Sequence, residues 1–140
     1  MTTPPGSNEP ERTVRHSDVE IAVVDSVTEV RDEDTGRVVV TGSHGGRSSG
    51  TYALAVRASL YVFNDAGIGK GEAGVAALAM LDEAGIAAIA VGCDTARIGD
   101  ARDTLSNGIV TRTNARADAL GCRAGDPLPC VIDRLAGVER

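Results

Sequence analysis

The chain has 140 residues, which fits one domain around a single core, since domains cluster at roughly 100–150 residues. Its net charge of −6, with no Lys/Arg cluster, lacks the basic footprint of a nucleic-acid binder, and one Phe, two Tyr and no Trp leave no stacking platform. No run of about 18 apolar residues occurs, so neither a membrane span nor a membrane partner is expected.

The opening residues, MTTPPGSNEPER, carry neither a basic start nor an apolar run, so no signal peptide is expected and a cytoplasmic location is the default. Residues 1–18 are rich in Pro, Ser, Glu and Arg and lack apolar periodicity. They predict a flexible N-terminal arm ahead of a single α/β domain over 19–140. EIAVV (20–24) predicts the first strand. Asp25 then offers a cap for one helical turn, and Gly36 closes a charged turn. RVVVT (37–41) predicts a second strand, whose continuous β-branched run suits burial on both faces.

The segment GSHGGRSSG leads into a helix with Leu54, Ala55 and Ala58 at helical spacing. SLYVF (59–63) predicts the third strand, followed by the loop NDAGIGKG. EAGVAALAMLDEAG predicts a helix, with Val75, Leu78 and Leu81 on one face and Gly85 at its C-terminal stop. Its small side chains suit close helix packing, which is compatible with a homo-oligomer. IAAIAV (86–91) predicts the fourth strand, followed by GCDTARIGD. A short helix over 101–106 is capped by Asp100, with Asp103 making its first turn acidic. A second helix is expected over 109–120, ending at Gly121, and LPCVIDRLAG predicts a last one.

Strands separated by helices predict a small three-layer α/β sandwich with a mostly parallel four-stranded sheet. In such sheets ligands sit beyond the carboxyl ends of the strands. Three of those ends carry glycine mixed with titratable or hydrogen-bonding residues: GSHGGRSSG, NDAGIGKG and GCDTARIGD. They are expected to converge on one pocket. GSHGG, NDAGIGK, Ala73–Gly74 and ARIGD, as a set spanning about Val24 to Gly121, resemble a functionally uncharacterised family of small bacterial α/β proteins. The resemblance implies a shared site in these loops and no particular reaction.

In the first loop, Gly42, Gly45 and Gly46 permit close backbone approach, while Ser43, Ser48, Ser49 and Thr51 offer hydroxyls near a helix start, as a carboxylate or phosphate cradle requires. A plain strand-to-helix turn capped by Ser48 or Ser49 would use the same residues. The loop lacks the G-K-[ST] of a Walker A motif and the G-x-G-x-x-G dinucleotide fingerprint, so no cofactor is assigned. Asp65 nonetheless stands roughly where a ribose-binding acid would, which keeps nucleotide binding as an alternative.

His44 ends a strand, and an imidazole suits proton transfer near neutral pH; its plainer role is a structural hydrogen bond. Asn64 could bind a substrate carbonyl, and Asp65 could act as a base or orient His44, or both could form an Asx turn. Lys70 offers a counter-charge or a solvated helix start. In the last loop Arg97 is the expected anchor for an anion, or else pairs with Asp94 or Asp100. Cys93 is a candidate nucleophile or a small buried residue. Asn114 falls on an apolar face and needs a partner.

The cysteines Cys93, Cys122 and Cys130 form no C-x-x-C pair, and His16 lies far from His44, so a reducing compartment and no structural zinc site are expected. The functional expectation is a cofactor-independent lyase, isomerase or hydrolase acting on a small anionic molecule. His44, Asp65 and Cys93 would serve catalysis; Ser43, Gly45, Gly46, Ser49, Asn64, Lys70, Asp94 and Arg97 would serve binding. The alternatives are a nucleotide- or metabolite-binding module without chemistry and a structural subunit.

Overall fold

The structure, a computed structural model, describes residues 12–67 and 75–137. Among them a six-stranded sheet runs in chain order: β1 (Thr13–His16), β2 (Val19–Val24), β3 (Val38–His44), β4 (Leu60–Asn64), β5 (Ala88–Val91) and β6 (Val110–Thr113). Strands β2 to β5 are mutually parallel; β1 and β6 flank them antiparallel. Five helices accompany the sheet among the described residues: α1 (Arg47–Ala53), α2 (Ala76–Glu83), α3 (Ala101–Asn107), α4 (Ala115–Ala119) and α5 (Leu128–Leu135).

The α/β class and the four parallel strands match expectation, but the sheet is larger than four strands. The first addition, β1, lies inside the stretch that composition assigns to an arm. It forms a hairpin with β2 through Ser17 and Asp18, whose φ values of 51° and 67° are those of a two-residue primed turn. The second addition, β6, replaces the first half of the helix expected over 109–120. Val110, Thr111 and Thr113 are β-branched; Val110, Arg112 and Thr113 pair with β5, and Asn114 then caps the short α4. A local β pattern inside a helix-spaced apolar set therefore resolves as strand plus helix.

Successive parallel strands are sheet neighbours, so their three connections lie on one face, as right-handed crossovers require. There Val27, Ala53, Ala77, Leu78 and Leu81 cover Ala22, Val24, Val39, Tyr61, Phe63 and Ala90. Gly50 of α1 sits directly on α2. A Cβ there would come 2.7 Å from Met80 Sδ and 3.1 Å from Ala77 Cα, so the small residues of α2 serve an internal crossing. On the opposite face Ala101, Ala117, Leu128, Val131 and Ile132 cover Ile21, Val23, Val40, Val62, Ile89 and Val91. Layers on both faces make the expected sandwich.

The parallel strands contain no reversal of winding, so no switch-point crevice opens between them. Among the described residues, the chain changes face after β5. Residues 92–101 then cross the carboxyl ends of β4, β3 and β2 in turn: Asn64 Nδ2 donates to Ala96 O at 2.9 Å, Gly99 N to Gly42 O at 2.7 Å, and Ala101 N to Asp25 Oδ1 at 2.9 Å. A bulge between Val40 and His44 bends the end of β3 to meet this segment. Within the bulge the Thr41 hydroxyl donates to Val62 O at 2.9 Å, replacing a ladder bond that the bulge removes.

Candidate functional site

The first two glycine-rich loops meet side by side, as their strands do. His44 pairs with Asn64, and Gly45 N donates to Asn64 O at 2.9 Å. Asp65 joins the second loop to the third: Oδ1 accepts from Gly67 N at 2.8 Å and Cys93 N at 3.1 Å, while Oδ2 accepts from the Thr111 hydroxyl at 2.7 Å. These contacts bring the loops together by tying their polar groups to one another.

Most of the expected binding groups are engaged in that way. Asn64 is fully buried; its Nδ2 holds Ala96 and its Oδ1 accepts from Ala66 N at 2.8 Å, so it forms an Asx turn. Ser43 Oγ accepts from Val27 N at 2.9 Å. The buried Ser49 donates to His44 O at 2.6 Å instead of capping α1, whose N-cap is Gly46. Gly45 O accepts from Ala77 N at 2.8 Å, linking the loop to α2. A Cβ on Gly42 would lie 2.5 Å from Asp100 N and 2.6 Å from Gly99 C, so the backbone approaching it is the molecule's own. Lys70 lies outside the described residues.

Four of the named residues keep exposed side chains: His44, Cys93, Asp94 and Arg97. The His44 ring accepts at Nδ1 from Gly46 N at 3.2 Å, which places the proton of the neutral ring on Nε2. His44 and Asp65 share no hydrogen bond; the acid is occupied by its three donors. Asp100 caps α3 through Asp103 N at 2.9 Å, as expected. Cys122 is buried, and burial pushes its thiol up to about 11, so it is protonated and inert at neutral pH. Among the described residues no three His, Cys, Asp or Glu side chains are grouped to hold a metal ion.

A cleft of about 670 Å³ opens between the segment following β2 and the Arg97–Arg102 stretch. Its walls carry four arginines, Arg12, Arg31, Arg97 and Arg102, interleaved with Asp25, Glu29 and Asp100. Val23 and Ile98 provide its apolar surface. The volume is that of a small-molecule site. Arg97 is the one residue of this cleft that the sequence marks as a ligand anchor. The others escape sequence reading because the carboxyl end of β2 lacks glycine and Arg12 belongs to an apparent arm. Asp25 at that strand end is the available signal.

Beside the cleft, the fully buried Asp34 accepts from Arg12 Nη1 at 3.2 Å and Nη2 at 2.8 Å, from Arg37 Nη1 at 3.0 Å and from Arg31 N at 2.9 Å. Burial alone would raise its pKa. The hydrogen bonds from Arg12, Arg31 and Arg37 outweigh that and hold the carboxyl below its ordinary value. The bond to Asp34 likewise raises Arg12, whose guanidinium is thereby fixed as part of the cleft wall.

Comparison of the chain with protein-family models, curated proteins and solved structures returns no match.

Proposed function

We propose that the protein binds a small anionic metabolite in the cleft beside the carboxyl end of β2, with Arg97 as its anchor. One observation carries this reading. Arg97 is exposed on the wall of a cleft of about 670 Å³, and its guanidinium makes no hydrogen bond or ion pair among the described residues. Its backbone N–H donates to Asp103 Oδ2 at 2.8 Å, which fixes the base of the side chain without occupying its fork. A planar guanidinium fork matches a carboxylate or phosphate through two parallel hydrogen bonds.

A second reading is a cofactor-independent lyase, isomerase or hydrolase in which the exposed His44, which is not among the residues lining the cleft, moves a proton at the end of β3. The solvent-facing nitrogen carries the proton in the neutral ring, so His44 is placed to donate before it accepts. Asp65 holds loops together in this reading and takes no part in proton transfer.

Isothermal titration of the wild type, Arg97→Ala and His44→Ala with small carboxylates and phosphates tests both readings. Arg97→Ala is expected to weaken binding about tenfold or more, equivalent to roughly 1.4 kcal/mol or more. His44→Ala is expected to retain binding and to abolish any turnover. If the wild type binds no phosphate and no small carboxylate, with or without an amino group, or Arg97→Ala binds them equally well, the anion site is refuted.

A further inference from the structure

We infer, resting on that assignment of the cleft, that its ligand carries an ammonium group as well as a carboxylate: a small amino acid or amino-carboxylate and not a plain anion. The distribution of charge over the two walls carries the inference. Arg12 is matched by Asp34 through bonds of 3.2 and 2.8 Å, and Arg31 lies 3.3 Å from Glu33. Arg97 has no carboxylate within ion-pair distance among the described residues, although Asp103 lies near enough to feel its charge, and Arg102 is itself engaged. On the other segment, the exposed Glu29 makes no side-chain hydrogen bond or ion pair among the described residues. Asp25 uses Oδ1 for Ala101 N at 2.9 Å, while its Oδ2 makes no hydrogen bond among the described residues.

A plain anion in this cleft would gain Arg97 and be repelled by Asp25 and Glu29. Charge opposition of that kind selects against a partner as effectively as attraction selects for one. A molecule bearing both charges satisfies both segments, its carboxylate on the Arg97 fork and its ammonium on Glu29 or Asp25 Oδ2. Val23 and Ile98 offer apolar contact to the remainder of such a molecule.

Calorimetric titration of the full chain distinguishes the two levels of the assignment. The probes are L-alanine, L-glutamate and 5-aminopentanoate, each set against its des-amino counterpart, propionate, glutarate and pentanoate. At least one amino compound is expected to bind the wild type at least tenfold more tightly than its counterpart. Glu29→Gln or Asp25→Asn is expected to narrow that difference to less than threefold, and Arg97→Ala to weaken both members of the pair about tenfold. Circular dichroism verifies that the variants are folded; Asn at position 25 keeps an acceptor for Ala101. Des-amino acids that bind the wild type as tightly as the amino compounds would overturn this inference and leave the anion site standing. A preference that neither acidic variant narrows would also overturn it. Binding by neither class would overturn both.

Discussion

Gly42 is held against two other backbone segments, Gly99–Asp100 and Asp25. A Cβ would stand 2.5 Å from Asp100 N, 2.6 Å from Gly99 C and 2.8 Å from Asp25 O, and backbone cannot swing aside as a long side chain can. Gly42→Ala is therefore expected to destabilise the fold by about 2 kcal/mol through overpacking, seen as a lower urea midpoint and a Tm lower by roughly 6–8 °C. The same substitution displaces the Gly99–Asp100 stretch that forms one wall of the cleft, so ligand affinity should fall with it. This glycine shows the limit of sequence reading at the residue scale. Its need for close approach is legible from GSHGG, but whether a ligand or the chain itself approaches depends on a segment nearly sixty residues away. Asn64 and Asp65 carry the same ambiguity. As letters they resemble Asp94 and Arg97, and only the donors that reach them, such as Cys93 N and the Thr111 hydroxyl, separate a structural acid from a free one.

At the scale of elements, Asn114 joins three of them. Its Oδ1 accepts from Ala117 N at 2.9 Å, capping α4, and from Ala88 N at 3.1 Å in β5. Its Nδ2 donates to Leu78 O at 3.1 Å in α2 and to Ile86 O at 3.0 Å ahead of β5. Loss of a cap alone costs about 1 kcal/mol, whereas leaving buried partners unsatisfied costs about 1–3 kcal/mol more. Asn114→Ala should accordingly cost about 3 kcal/mol in urea unfolding, and Asn114→Ser should recover only about the capping share, roughly 1 kcal/mol. The demand that a polar residue on an apolar face find a partner is visible in the sequence; the identity of its partners is not. The expected helix over 109–120 fails for a related reason. Helical spacing of apolar residues does not reveal that an edge of β5 is open for Val110–Thr113 to pair with.

For the whole molecule, Asp34 links acid stability to the fold. Its folded pKa is depressed below the unfolded value of about 3.9, so the stability it contributes is present above that value and is lost as pH falls through the folded pKa. The carboxylate binds Arg12 before β1, Arg37 before β3 and the Arg31 backbone, so its protonation loosens the β1–β3 side of the sheet and the adjoining cleft. Asp34→Asn is expected to lose about 2–3 kcal/mol at pH 7, measured by urea unfolding, and the gap to wild type should shrink below about pH 4. An unchanged gap at pH 3 would show that the carboxylate does not carry this dependence.

The sequence by itself determines the parallel core of this protein and several of its boundaries. Four β-branched or alanine-rich apolar runs suit burial on both faces, Asp100 caps α3, and Gly85 (φ 80°) and Gly121 (φ 91°) end their helices because each choice is made by neighbouring residues along the chain. Only the tertiary structure decides that Thr13–His16 and Val110–Thr113 extend the sheet to six strands, and that residues 92–101 cross the strand ends. That crossing saturates Asn64 and Asp65 and leaves Arg97 facing the cleft with Asp25 and Glu29. The physical reason is that a polar group's role is set by which donors and acceptors reach it, and here they come from segments distant in sequence.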